Sequence, residues 1–208
     1  MRPILALVLS LLPLGAVAET FDVLLGDRVI GTLETTGTRL VTVLDNTPLG
    51  LADGRFAATV TRGGGQVSYD STSDKRDIAF RTEAGRVAEV AITPAGEMTA
   101  LSDPAAVGWA VSDPVTVMAA LAQAEGCPAP FRMYDGRRVV EAAVTAETAS
   151  PSTLVCEMAY RVIAGPGHLS PFRFSRVSLR LTYDLDGGQR LARLRASAGG
   201  FDLELHRR

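Results

Sequence analysis

The segment 112–165 constrains the fold of this chain more than any other part of its sequence. It begins with a pattern typical of a capped helix, continues through a Cys-Pro turn, and ends in two long strand patterns that predict a hairpin. Both cysteines of the chain, Cys127 and Cys156, lie in this segment. Because a helix of about three turns is marginal in water, we expect it to pack on an apolar surface formed by the rest of the chain.

Both ends of this helix are predicted from sequence, over residues 113–126. Asp113 is a good N-cap, and Pro114 follows at the first helical position, where a missing N–H costs nothing. Gly126 suits the left-handed position that ends many helices, and Pro128 prevents continuation. Four apolar residues fall on one stripe: Val115, Met118, Leu121 and Ala122.

Most of the remaining sequence consists of short alternating patterns separated by turn residues, which predict antiparallel strands. Residues 19–102 form an N-terminal meander, and residues 131–208 form C-terminal strands. In the second part, 138–145 pairs with 153–163, Phe172 and Phe174 enter a further strand, and Asp186-Gly187-Gly188 makes a hairpin turn. The sequence therefore predicts a single, mainly β domain over 19–208: a curved antiparallel sheet or open β-barrel-like meander with one packed α-helix.

Residues 1–18 have the pattern of a secretory signal peptide. Arg2 precedes an apolar run over 4–14, and Ala16-Val17-Ala18 is a small-residue cleavage site. Cleavage after Ala18 makes Glu19 the first residue of the mature chain. We expect a periplasmic bacterial protein with no integral membrane span after cleavage, because no other stretch approaches transmembrane length.

The charge distribution argues against some partners. The formal net charge of −2 at pH 7 is opposite to that of a nucleic-acid-binding protein. Residues 19–128 hold 15 acidic and 8 basic side chains, whereas residues 129–208 hold 8 acidic and 12 basic ones. This difference indicates either two ordinary solvated surfaces or a basic C-terminal face that meets an anionic partner.

The two cysteines predict a Cys127–Cys156 disulfide, because an even number of cysteines in an exported chain usually pairs. The alternative is two buried free thiols. A metal site is not expected, since only His168 and His206 are available as further nitrogen ligands and their spacings do not match a zinc cluster. No cofactor is predicted.

The densest polar motif is Tyr134-Asp135-Gly136-Arg137-Arg138. Two arginines after a turn pair can hold a carboxylate or phosphate through several hydrogen bonds. The alternative is a turn that leads into a strand, where Arg137 and Arg138 point to opposite faces and an inward arginine pairs with an acid such as Glu157. Trp109 either completes the core or lines a ligand groove. The candidate ligand-binding residues are Tyr134, Asp135, Arg137, Arg138, Tyr160 and Trp109.

Other motifs do not predict catalysis. The segment 165–168, Gly-Pro-Gly-His, lacks the lysine and the following helix of a phosphate-binding loop. His168 has no Gly-x-Ser-x-Gly nucleophile to act on. Asp70, Asp74 and Asp77 do not have the spacing of a calcium loop. We therefore assign no catalytic residue.

Several of these motifs together resemble the exported bacterial domain-of-unknown-function family 3108. The chain opens on a hairpin, FDVLLGDRVIGTLE, and its helix begins with Asp113-Pro114. A YDGRR strand follows at 134–138, and a strand with the pattern C-x-x-x-Y-x-x-I-A-G follows at 156–165. The resemblance implies a periplasmic antiparallel β protein similar in outline to curved-sheet envelope carriers. It implies no catalytic residues.

Three functions follow from these predictions. The preferred one is a non-enzymatic cell-envelope binding or carrier protein that holds a lipid-like or polymeric ligand on the concave face of its sheet. The alternative is a structural or assembly factor that contacts an envelope protein and has no small ligand. A hydrolase is a distant third. A wide concavity favours the carrier, and an interior filled by aromatic side chains favours the structural factor.

Overall fold

The computed structural model describes residues 18–50, 52–168, 173–186 and 188–208. These residues form thirteen β-strands and one α-helix, α1 (Pro114–Ala122). Seven strands precede the helix: β1 (Glu19–Leu25), β2 (Arg28–Thr35), β3 (Arg39–Leu44), β4 (Gly54–Gly63), β5 (Gln66–Ser73), β6 (Asp77–Glu83) and β7 (Arg86–Thr93). Six strands follow it: β8 (Phe131–Tyr134), β9 (Val139–Ala149), β10 (Thr153–Ala164), β11 (Arg176–Asp184), β12 (Arg190–Ala198) and β13 (Phe201–Arg207).

The thirteen described strands form one antiparallel sheet in the order β7-β6-β5-β4-β3-β2-β1-β13-β12-β11-β10-β9-β8. Nearly all neighbours are consecutive in sequence. The exception is the pair β1 and β13, in which Val23 lies opposite Leu205. The first and last strands therefore join the two halves in the middle of the sheet, and β7 and β8 are its edges. The prediction of a mainly β, open antiparallel meander with one helix is confirmed.

The sheet curls so that its two edges face each other. The rings of Tyr69 on β5 and Phe80 on β6 stack with centroids 4.6 Å apart. Phe80 in turn lies 5.0 Å from the ring of Tyr134, which belongs to the opposite edge strand, β8. Since these rings are almost fully buried, the core lies on the concave face of the sheet.

The segment 94–113 covers the seam between the two edges. Val111 donates its amide to the Gly85 carbonyl in the β6–β7 turn (2.8 Å), and Ser112 exchanges backbone hydrogen bonds with β8 on the other side. The Tyr134 hydroxyl lies 2.6 Å from the carbonyl oxygen of Leu101, which belongs to a short 3₁₀ turn in the same segment. The open sheet is therefore bridged by irregular chain.

Helix α1 packs inside the curl near one end, which we call the helix end. Its predicted stripe is buried, with Val115 0% and Ala122 1% exposed. Val117, outside the stripe, is also buried, so the helix contacts protein on more than one side. Thr116 accepts a hydrogen bond from Arg62 of β4 (2.7 Å), which fixes the first turn against the N-terminal half of the sheet.

The helix begins as predicted and ends earlier. Asp113 accepts a hydrogen bond from the Thr116 amide through Oδ1 (2.8 Å), as an N-cap does. The last helical residue is Ala122, and Gly126 does not adopt the left-handed conformation, so the predicted end at 126 is wrong. The reason is tertiary: the chain must leave the helix to carry Cys127 to β10.

The predicted disulfide between Cys127 and Cys156 is present, with Cα atoms 5.6 Å apart. The hairpin beside it is longer than predicted. Strand β9 begins at Val139 and runs to Ala149, and it pairs with β10 as far as Leu154. A tight turn in which the Ser150 amide donates to the Thr153 carbonyl (2.8 Å) replaces the predicted loop over 146–152.

Some predictions fall outside the described residues. The signal peptide lies there up to residue 17, as do Phe172 and Gly187. Cleavage after Ala18 therefore stays a prediction. Within the described ranges, no helix has the length and apolarity needed to span a membrane.

Candidate functional site

A pocket of about 260 Å³ lies on the concave face, toward the end of the sheet opposite the helix end. We call this the site end; it carries the turns at 26–27, 45–53, 74–76, 135–138 and 199–200. One wall of the pocket is apolar and comes from four strands and the start of the helix: Phe56, Tyr69, Ile78, Met133 and Pro114. The other wall is polar: Ser71, Ser73, Arg76, Asp135 and Arg137.

Two arginines of the polar wall share one carboxylate. Glu97 Oε2 lies 3.0 Å from Nη2 of Arg76 and 3.3 Å from Nη2 of Arg137. Arg137 also donates from Nε to the backbone carbonyl of Glu97 (2.8 Å). Nε of Arg76 is buried and has no hydrogen-bond partner among the described residues. The pocket therefore contains two guanidinium groups that share a single carboxylate.

The Asp135-Gly136 turn places Arg137 in the pocket. Asp135 Oδ1 accepts from the amides of Arg137 and Arg138, each at 3.0 Å. Gly136 has φ +91°, and a β-carbon there would collide with Cγ2 of Ile78. Glycine alone combines a favourable positive φ with the absence of a β-carbon. Gly136 therefore lets the turn lie directly against Ile78 of the apolar wall.

Arg138 points away from the pocket and is 8% exposed. Its Nε lies 3.0 Å from Asp135 Oδ2, and its Nη1 has no hydrogen-bond partner among the described residues. The acid beside this inward arginine is Asp135. Glu157, the example predicted from sequence, is wrong, because it lies on the other face and pairs with Arg180 (3.4 Å).

The polar wall, taken together with Glu97 and with Arg138 behind it, carries an excess of positive charge. Arg76, Arg137 and Arg138 contribute three positive charges, and Glu97 and Asp135 contribute two negative ones, which leaves one positive charge. Burial, followed by repulsion from Arg76, lowers the pKa of Arg137. An added anion would relieve this repulsion.

Tyr160 and His168 form a second polar pair behind Arg138. The Tyr160 hydroxyl lies 2.8 Å from Nε2 of His168. Burial lowers the pKa of His168 to about 4, and the positive charge of Arg138 acts in the same direction. Burial also raises the pKa of Tyr160. The histidine is therefore neutral and the phenol protonated near pH 7, so the pair is held by an uncharged hydrogen bond.

The structure brings only part of the predicted site together. Asp135 and Arg137 line the pocket, whereas Arg138 and Tyr160 lie behind it. Tyr134 is completely buried, and its hydroxyl is occupied by backbone carbonyls, so it supports the seam. Trp109 is half-buried against the core and does not line the pocket.

The sequence did not predict Arg76, Glu97 or any residue of the apolar wall as part of the site. Inward alternation on β4 and β6 was the signal that could have identified Phe56 and Ile78. Glu97 lies 40 residues before Arg137 in the chain and meets it only because the segment 94–113 crosses the seam. No local pattern indicates that contact.

An apolar surface continues from the pocket along the site end of the concave face. Leu203 lies opposite Leu25 in register, on the same face as the buried residues Val23 and Leu205. It is nevertheless 41% exposed, and Phe201 is 52% exposed. We call the following residues, on four of five adjacent strands, the apolar band: Phe56, Leu44, Leu25, Leu203 and Phe201. Four strand spacings correspond to about 19 Å along the sheet.

Exposed apolar side chains concentrate at this end. Within the described ranges, five large hydrophobic residues are exposed, and all lie at or beside site-end turns: Val29, Leu49, Met98, Phe201 and Leu203. Apolar surface gathered at one end is typical of a binding region, whereas scattered apolar residues are not.

A second depression, of about 340 Å³, lies between the start of β2 and the last residue of the chain. Two of its polar side chains are already paired: Arg208 binds Asp22 (2.6 Å), and Asn46 donates to the Val29 carbonyl (2.9 Å). Within the part of the chain that the structure describes, no three His, Cys, Asp or Glu side chains converge as metal ligands. The first pocket is therefore the candidate site.

Comparison with known proteins gives one structural neighbour. No protein-family model matches the chain, and no curated protein matches it. The solved structure is that of a β-barrel-like protein of the domain of unknown function DUF1849 from Brucella abortus. It is 13% identical, covers 92% of this chain and 95% of its own, and superposes with a TM-score of 0.45.

Proposed function

We propose that this chain is an exported, non-enzymatic binding or carrier protein of the bacterial cell envelope, and that its ligand is an amphiphile with an anionic head and an apolar chain. One observation carries the proposal. Apolar side chains and two arginines meet in one pocket, and Phe56 of that pocket also begins the apolar band.

The polar wall suits the anionic head. A carboxylate or phosphate accepts several hydrogen bonds from guanidinium groups, and such charge-assisted bonds are stronger than neutral ones. Arg76 and Arg137 share one carboxylate, and the cluster of three arginines and two acids has one excess positive charge. A neutral apolar ligand would leave both features unused.

The apolar band suits the chain of the ligand. The pocket, at about 260 Å³, is smaller than the roughly 300–1,000 Å³ typical of sites that enclose a drug-sized molecule. It has room for the head and the first part of a chain. The rest of the chain would lie on the band and cover Leu203 and Phe201, whose exposure to water is otherwise unfavourable.

An envelope location is supported by two features. The first residues have the pattern of a signal peptide, and Cys127 and Cys156 are joined. Disulfides persist in oxidising compartments such as the bacterial periplasm.

Fluorescence titration with 11-(dansylamino)undecanoic acid tests the proposal. We expect saturable binding, and we expect Arg137→Gln to weaken it roughly tenfold or more, because a hydrogen bond to a charged group contributes about 1.5–3 kcal/mol. Arg132→Gln is the matched control, since Arg132 is exposed and pairs with Glu141 on the outer face. Absence of saturable binding, or equal losses in both variants, would reject the proposal.

The rival function is a structural or assembly factor without a small ligand. It is favoured by the helix-end half of the concavity, which the protein fills with its own side chains, including Val115, Leu121 and Tyr183. The same titration separates the two functions, because the rival predicts no saturable binding of the dansylated acid by the wild-type protein.

A further inference from the structure

We propose that Glu97 is an internal stand-in for the ligand's head group, so that the site selects an amphiphilic carboxylate, which displaces the Glu97 side chain when it binds. This inference rests on the proposed function and names the head group.

The Glu97 carboxylate occupies the position that the head group of a ligand would take. Its Oε2 bridges Arg76 and Arg137, at 3.0 and 3.3 Å, where an incoming anion would meet both guanidinium groups. The side chain of Glu97 is 31% exposed, more than that of either arginine (25% and 17%). It can therefore leave toward solvent while the arginines stay in place.

The backbone of the segment 94–113 does not depend on this carboxylate for its position. Arg137 Nε donates to the main-chain carbonyl of Glu97 (2.8 Å), and Thr99 Oγ1 donates to the Arg137 carbonyl (3.0 Å). These bonds hold the segment 94–113 at the site whatever the Glu97 side chain does. Displacement thus requires a change of side-chain rotamer alone.

The charge of the cluster favours a carboxylate head group over a phosphate. When a carboxylate replaces that of Glu97, the cluster of three arginines and two acids keeps its single excess positive charge. A phosphate monoester would bring more negative charge close to the carboxylate of Asp135, which also lines the pocket. The carboxylate of Asp135 would repel this extra negative charge, so a carboxylate fits the site better than a phosphate.

Competition against the dansylated acid tests the inference, with laurate, dodecyl phosphate and dodecanol as competitors. For the wild-type protein we expect laurate to compete best. Glu97→Gln should bind laurate roughly two- to fivefold more tightly, because the ligand no longer displaces a partly exposed ion pair. Binding of dodecanol should change little. Glu141→Gln, at a similarly exposed acid on the outer face, is the control and should leave laurate binding unchanged.

The possible results separate the inference from the proposed function. If wild-type protein binds the alkyl probes but Glu97→Gln binds laurate no better, or if dodecyl phosphate competes better than laurate, the inference is overturned and the carrier function stands. If no alkyl probe binds, both are overturned. Unfolding of Glu97→Gln by urea should match that of the wild type closely, since an ion pair of this exposure contributes little stability.

Discussion

The phenolic hydroxyl of Tyr183 donates a hydrogen bond to the backbone carbonyl of Leu121, at 3.0 Å. Tyr183 lies on β11 and is completely buried, and Leu121 lies in the last turn of α1. The last four carbonyls of a helix have no partner within the helix, so this tyrosine completes its C-terminal end. The contact makes the helix part of the core of the sheet.

Tyr183→Phe should lower the free energy of unfolding by about 1–3 kcal/mol, because it leaves the Leu121 carbonyl buried and unpaired. Urea denaturation followed by circular dichroism measures the change. The apolar ring is kept, so packing changes little. An unchanged urea midpoint would show that water or a shift of the helix satisfies this carbonyl.

Met118→Ala and Leu121→Ala should each lower the free energy of unfolding by about 2–5 kcal/mol, since both side chains are buried. Met98→Ala and Leu49→Ala are matched controls at exposed positions and should cost far less. Probe binding measured on Met118→Ala and Leu121→Ala should stay close to that of the wild type. Unchanged stability with altered binding would instead make the helix a lid over the ligand.

Replacing both cysteines, in a Cys127→Ser/Cys156→Ser variant, should lower the free energy of unfolding by roughly 3–4 kcal/mol. The bond joins residues 29 apart in sequence, and the estimate is the chain entropy that such a loop restores to the unfolded state. Thermal and urea unfolding measure the loss, and wild-type protein reduced by a phosphine should show the same loss. Free thiols in denatured, unreduced wild-type protein would contradict the structure.

Stability should fall as the pH is lowered from about 6.5 to about 4, in part because of His168. Its pKa is 6.5 in the reference state and about 4 in the folded protein, so in this window the unfolded chain binds a proton that the folded chain does not. The free energy of unfolding therefore rises with pH across the window. Arg138 and Asp135 are the charged groups that act on this imidazole.

His168→Gln should remove this contribution, so the variant should lose less stability than the wild type between pH 7 and about pH 4.5. Urea midpoints at the two pH values measure the difference. Equal losses in the variant and the wild type would mean that His168 is protonated in the folded state at a normal pH.

Local signals predicted the parts of the fold that depend on neighbouring residues. Asp113 and Pro114 begin the helix because capping involves only the first turn. Gly126 misled for the opposite reason: a local signal for the helix end was overridden by the path to the disulfide. The pairing of β1 with β13 joins residues at opposite ends of the chain, and alternation along a strand does not identify its partner.

The part of the candidate site that depends on neighbouring residues was also predicted, and the rest was not. Asp135 and Arg137 are close in sequence, and the turn that holds them is local. Arg76 and Glu97 belong to separate segments that meet Arg137 only after the sheet curls and the seam is covered. Arg138 was predicted as a ligand-binding residue because strand alternation alone does not show which of two adjacent arginines faces a pocket.

Methyl resonances recorded by NMR during a titration with laurate test the central claim most directly. Ile78 lines the pocket, Leu203 lies on the apolar band, and Val115 lies in the helix. We predict that the signals of Ile78 and Leu203 shift together along one saturable curve, while those of Val115 stay in place. No shift at Ile78, or a shift of Leu203 alone that grows without saturation, would contradict the account.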